Sequence, residues 1–437
     1  MENAKHSTDE PSVRAVEGPR LAPNQNFEKH WSLGGSSSDE ASSKILGRLE
    51  CSVPGLIYIS HDATRPSSVR VSGDSAKIVE RVEVTTTDSG TVRVRGHGKF
   101  SGHLLTEISL QDESAVQSLA SAGSGTVVVE DKVLLNNDRE RKLEVKTAGS
   151  GDVFLTSSTP VQVHSMLFQR NGSGDLQLVA PAIASKGKLD VRTSGSGDVN
   201  VFANNVQVQD AVASVAGSGD IQLNIANEFE TLSQFTASAA GSGAVRTFAK
   251  SLHAAKVKLQ IAGSGDLALA AWQNMTAGLV KTEIAGSGDV RIGCTAGATT
   301  DEEINIAGSG DVDLGDVFAT TAKVNIAGSG NVAVRVAGEA HESLFGSGNI
   351  EYVGEPPQKV HSSGFRSSHT QTYRWSKVTR PLVDSLMSKQ RFPSPIPLRE
   401  AAFSQIQARQ DRTINIEIHG LEDLKAAVGS LFGFSSK

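Results

Sequence analysis

The sequence predicts an all-β chain: a single-stranded parallel β-helix, a solenoid of about eleven coils of ~22 residues. Three observations predict it. First, Gly-Ser-Gly recurs eleven times, starting at Gly123, Gly149, Gly172, Gly195, Gly217, Gly241, Gly263, Gly286, Gly308, Gly328 and Gly346. The steps run from 18 to 26 residues, too few for a propeller blade, which needs about 40 to 50. Second, alternating stretches flank each copy. Ile304-Asn305-Ile306 and Val324-Asn325-Ile326 precede the tripeptide; Val290-Arg291-Ile292 and Val312-Asp313-Leu314 follow it. Period-two alternation marks strands with one buried face. Third, aromatics are only 5% of the chain, so the interior must be built from Val, Ile, Leu and Ala. One such unit cannot bury its own apolar face, whereas stacked units can.

Taken in order, residues 1–44 are polar and without pattern, and read as a disordered arm. Residues 45–122 read as an irregular, strand-rich start to the solenoid. Leu56-Ile57-Tyr58-Ile59, Val69-Arg70-Val71, Val82-Glu83-Val84 and Val92-Arg93-Val94 are its short strands. Residues 123–353 carry the GSG[D/N] repeats, with polar connections such as Ala296 to Glu303 between strands. Residues 354–437 form a C-terminal extension and cap. From Lys359 to Arg412 it holds ten Lys/Arg against three acids. It includes the Pro-rich stretch Arg391-Phe392-Pro393-Ser394-Pro395-Ile396-Pro397, a strand over Thr413 to His419, and a short amphipathic helix through Leu421, Leu424, Val428, Leu431 and Phe432. This section reads as packing over the open end of the stack, or as a basic arm for an acidic partner.

The corners explain the tripeptide. Two glycines one residue apart permit positive φ and close backbone approach, where a Cβ would meet the adjacent coil. The structural turn residues singled out are Gly149, Ser150 and Gly151; Gly263, Ser264 and Gly265; Gly286, Ser287 and Gly288; and Gly308, Ser309 and Gly310. The serine is expected to hydrogen-bond from coil to coil. The fourth position is acidic at Asp152, Asp175, Asp198, Asp220, Asp266, Asp289 and Asp311, and is Asn at Asn331 and Asn349. Asp and Asn both cap free N–H groups of turns, and turn capping is the favoured role. Stacked carboxylates about 5 Å apart repel by roughly 1 kcal/mol per pair in water. Hydrogen bonds or a row of cations, calcium first, would offset that. No cofactor is otherwise expected.

Other function classes find little support. No run of apolar residues is long enough to span a membrane. The net charge of −6 suits no dedicated nucleic-acid binder. Cys51 reads as a strand residue and Cys294 as a small core or turn residue, too few for a disulfide framework. The eleven His are scattered, with no pair at metal-ligand spacing. No catalytic residue is assigned. The sequons at Asn171 and Asn274 are no more than a Ser/Thr-rich chain carries by chance. The opening MENAKHSTDEPSVR lacks the apolar region of an ordinary secretory signal.

With the repeats laid out, residues 45–353 resemble the putative auto-transporter adhesin head GIN domain family. The resemblance rests on the GSG[DN]-[VIL] corners and on an opening section with Val69-Arg70-Val71-Ser72-Gly73-Asp74, Val82-Glu83-Val84 and Gly90-Thr91-Val92-Arg93-Val94. It implies a parallel β-helix on a surface-exposed or secreted protein, and carries no catalytic or binding residues with it.

Three functional readings follow. The favoured one is a non-enzymatic surface or extracellular binding protein, presenting a rigid repetitive face to glycans, cell-wall polymers or copies of itself. The second is an intracellular, self-assembling scaffold, with the cytoplasm as its location. The third is a polysaccharide lyase or hydrolase, which a regular Asp row without long cleft-walling loops disfavours.

Overall fold

The computed structural model describes residues 13–14, 27–33, 47–87, 90–364 and 382–397. Strand makes up 72% of the described residues, stacked as parallel coils in a β-solenoid of about 11 turns. The expected strand over Thr413 to His419 and the helix through Leu421 to Phe432 lie outside the described residues.

The described residues fall into two compact units. The first contains residues up to Leu135, together with Gly151–Phe154 and residues 395–397. Its pairing is mixed. Leu56–His61 runs parallel to Leu104–Leu110, while Ser68–Gly73 and Val82–Thr86 pair antiparallel with Leu104–Leu110 and Thr91–Gly96. All four predicted short strands are present. One element differs from expectation. Phe27–Ser32, read from composition as part of a structureless arm, is a strand antiparallel to Ser68–Gly73. Its local polarity is outweighed by the ladder and by Lys29 lying over the Trp31 ring at 4.8 Å.

The second unit contains Asn136–Ser150, residues 155–364 and 382–394. Each coil pairs in parallel register with the next, Gly on Gly at every corner, from Gly149↔Gly172 to Gly328↔Gly346. A full coil holds three paired runs. In the coil from Val245 these are 245–249, 251–254 and 256–263. The breaks between runs are the other corners. The stretch from Ala296 to Glu303, expected as a polar connection, is therefore strand within Val290–Gly308. Ladder hydrogen bonds satisfy its backbone despite its polar side chains.

Alternation sorts the side chains. Val257, Leu259 and Ile261 point inward, as do their counterparts in other coils. The interior also holds Phe168, Phe229 and Phe235, whereas Phe202 and Phe248 share an outward column; all five are buried. Phe229 and Phe235 meet edge to face at 5.1 Å. One inward position holds Arg170, which donates to the carbonyls of Gly149 at 2.7 Å and of Gly174. These carbonyls satisfy a buried cation that would otherwise be costly.

Within the C-terminal section, residues 382–394 lie along the flank of the second unit. Helix Leu382–Met387 buries Val383 and Leu386 against Phe248 and Ala270. Gly293 lets it approach closely, since a Cβ there would stand 2.5 Å from the Val383 nitrogen. Asp316 accepts from the Leu382 N–H at 3.0 Å at the start of that helix. Ser394 then exchanges two hydrogen bonds with the Gln177 side chain, at 2.7 and 3.0 Å. At the end of the stack, the strand Lys359–Gly364 pairs with Asn331–Gly346 and extends the sheet.

Candidate functional site

The GSG corner is the recurrent feature around which the surface of the second unit is organised. Gly263 has φ +139°, and a Cβ on Gly265 would stand 2.1 Å from the Gly243 carbonyl oxygen. No side chain fits there. The carbonyl of Gly241 accepts from the N–H groups of both Ser264 and Gly265, each at 2.9 Å. Ser287 and Ser309 repeat the bond to Gly263 and Gly286. The coil-to-coil link of these serines thus runs through the backbone N–H, while their side chains are exposed.

After each corner comes the carboxylate. Asp175 accepts from the N–H of Asp198, Asp198 from Asp220, and Asp220 from Ala244, at 2.7 to 2.9 Å. A second run follows. Asp266 accepts from Asp289, Asp289 from Asp311, and Asp311 from Asn331, at 2.7 to 3.0 Å. Each carboxylate therefore holds the next coil. Ala244 separates the two runs because it carries no acceptor. Asp152, in the first unit, takes the equivalent place after Gly151. The second carboxylate oxygens meet arginines. Arg246 reaches Asp220 at 2.7 Å and Arg291 reaches Asp289 at 3.0 Å. Arg391, from the flank segment, bridges Asp198 and Asp220. Burial works against its charge, but Asp198, Asp220 and Asp175 around it push its pKa up. The basic section thus spends one of its cations on the chain's own Asp row.

Before the six corners from Gly241 to Gly346 lies a groove of about 810 Å³. Its floor is a stripe of exposed alanines, Ala240, Ala262, Ala285, Ala307 and Ala327, one per coil. Beside them stand Ser238, Gln260, Glu283, Asn305, Asn325 and Ser343, also one per coil and in register. Phe345, 49% exposed, stands in the alanine column at one end. The polar column is partly tied along the stack. Gln260 donates to Glu283 at 2.7 Å, and Asn325 to Asn305 at 2.8 Å. Burial pushes the Glu283 carboxyl up, but hydrogen bonds from Lys281 and Gln260, with Lys281 and Lys258 nearby, hold it below its ordinary value. A carboxylate held ionised is a poor proton donor at neutral pH.

Sequence reading found the corners and the Asp row but not this groove. The signal was present: the residue one before each Gly-Ser-Gly is Ala in most coils, and the residue three before is polar in most. Both cysteines are buried and unpaired. Burial pushes each thiol up to about 12, helped by Asp316 at Cys294, so both stay protonated and inert. Among the described residues, no helix is long and apolar enough to cross a membrane.

Comparison with known proteins gives the family. A search of the curated proteins finds no match. Among solved structures, the chain is similar to a putative adhesin from Parabacteroides distasonis, at 16% identity and TM-score 0.41, over 61% of this chain and 96% of that one. A putative adhesin from Bacteroides fragilis matches at 16% identity and TM-score 0.39, with the same coverage. A putative lipid binding protein from Parabacteroides distasonis matches at 16% identity and TM-score 0.26, over 77% of this chain and 94% of that one. The family model described as putative auto-transporter adhesin, head GIN domain, matches residues 57–250 and 231–356, more than half of the sequence, and the chain belongs to that family.

Proposed function

We propose that the protein is a non-enzymatic binding protein of the cell surface or exterior, and that its groove takes an extended, repetitive polymer, a glycan first of all. One observation carries this reading: across six coils the groove sets a polar side chain beside an apolar one, in register. Strand spacing sets the repeat at about 4.8 Å. Each step offers a small apolar patch and a hydroxyl, amide or carboxylate beside it. A polymer with a regular hydroxyl pattern can meet such a row many times over, and weak contacts repeated along one chain multiply. The family name supports a surface role.

The test is native affinity electrophoresis of the full chain in gels containing neutral or acidic polysaccharides. Retardation by at least one polymer is expected, with loss of retardation in Ala285→Trp and Ala307→Trp. Both substitutions fill the groove from exposed positions and leave the interior untouched. Unretarded migration in every gel, or retardation unaffected by both substitutions, overturns the reading.

A further inference from the structure

A second cluster lies on the strands that end the stack. Glu339 and His341 sit two apart on Asn331–Gly346, so they project from the same face. The parallel strand Lys359–Gly364 places His361 directly beside His341. The two imidazoles stack with centroids 4.6 Å apart. The Nε2 atoms of both rings lie 3.8 Å from one oxygen, Oε2 of Glu339. The three potential ligand atoms all fall within 4.8 Å of one another. All three side chains are exposed.

We propose that Glu339, His341 and His361 form a binding site for a divalent transition-metal ion, with zinc as the type ion. Two imidazoles and a carboxylate are the donors such ions prefer, whereas calcium prefers oxygen alone. Ligands at about 2.0–2.1 Å from a tetrahedral ion stand roughly 3.3 Å apart. The observed 3.8 Å spacings need only small rotations of exposed side chains to reach that. Lys359 is the nearby competitor, but it faces Oε1 of Glu339, also at 3.8 Å, and leaves Oε2 to the histidines. Three protein ligands leave a fourth position for water or for a donor from a partner. Because the ligands come from two strands, the ion would clamp Lys359–Gly364 to the coil beneath it. Sequence spacing hides the site, since His341 and His361 become neighbours only through the coil register.

The test uses the full chain in chelator-free buffer. Zinc titrated calorimetrically should bind with one equivalent in its tightest step, and cobalt(II) should develop visible d–d bands at the same stoichiometry. His341→Asn, His361→Asn and Glu339→Gln should each weaken binding at least tenfold. In EDTA the variants should melt with the wild type, and zinc should raise the melting temperature of the wild type alone. No saturable binding by the wild type, or tight binding that survives H341N/H361N together, overturns the proposal.

Discussion

Glu302 stands inside the second unit, in an inward column between Val280 and Ala322, 2% exposed, with neither carboxyl oxygen hydrogen-bonded. Burial raises its pKa well above the ordinary carboxylate value. The folded chain therefore keeps this proton where the unfolded chain loses it. The favourable contribution of the neutral acid is complete below pH 4.5 and is lost as pH rises toward the folded pKa. We expect Glu302→Leu to raise the melting temperature more at pH 8 than at pH 4, and Glu302→Gln to flatten the same dependence. Equal shifts at both pH values would show that the carboxyl is not held neutral. The residue was legible in part. Asp301-Glu302-Glu303 reads as a polar connection, yet Ile304 and Ile306 are inward, and counting back by two from them puts Glu302 on the inward face. Composition obscured what alternation would have shown.

The corner carboxylate acts one coil beyond its own, because its acceptor is aimed at the next backbone N–H. Asp289→Ala and Asp311→Ala should each destabilise the chain by roughly 1 kcal/mol, read by chemical unfolding. The loss should be the same in EDTA and in calcium, since the oxygens are met by N–H groups and, at Asp289, by Arg291. Unchanged stability in both media would mean the carboxylates hold nothing. A loss confined to calcium-containing buffer would assign the row to a cation. The corners were legible in the sequence because glycine pairs at fixed spacing have few other uses. The flank segment was not. Its strap runs from helix Leu382–Met387 through Arg391 to Ser394, and it depends on Gly293, Asp316, Asp220 and Gln177, residues far apart in sequence and ordinary in type. Basic composition left open an acidic partner or a cap; among the described residues one of its cations, Arg391, meets the chain's own Asp row.

At the scale of the molecule, a solenoid makes most of its contacts between neighbouring coils. One local solution is therefore repeated, and whatever faces outward is repeated with it. The fold class was legible because the repeat is visible as text. The groove was less so, because a column of alanines has meaning only once the register is known, and the clustered ligands at the stack end were hidden for the same reason. On the proposed function, repetition itself is the binding device. The decisive measurement is the affinity of the full chain, by calorimetry, for oligosaccharides of graded length cut from a retarding polysaccharide. The groove is lined by six coils, about 24 Å from first to last. Affinity should climb with oligomer length and level off once that span is filled. Affinity independent of length would contradict the claim.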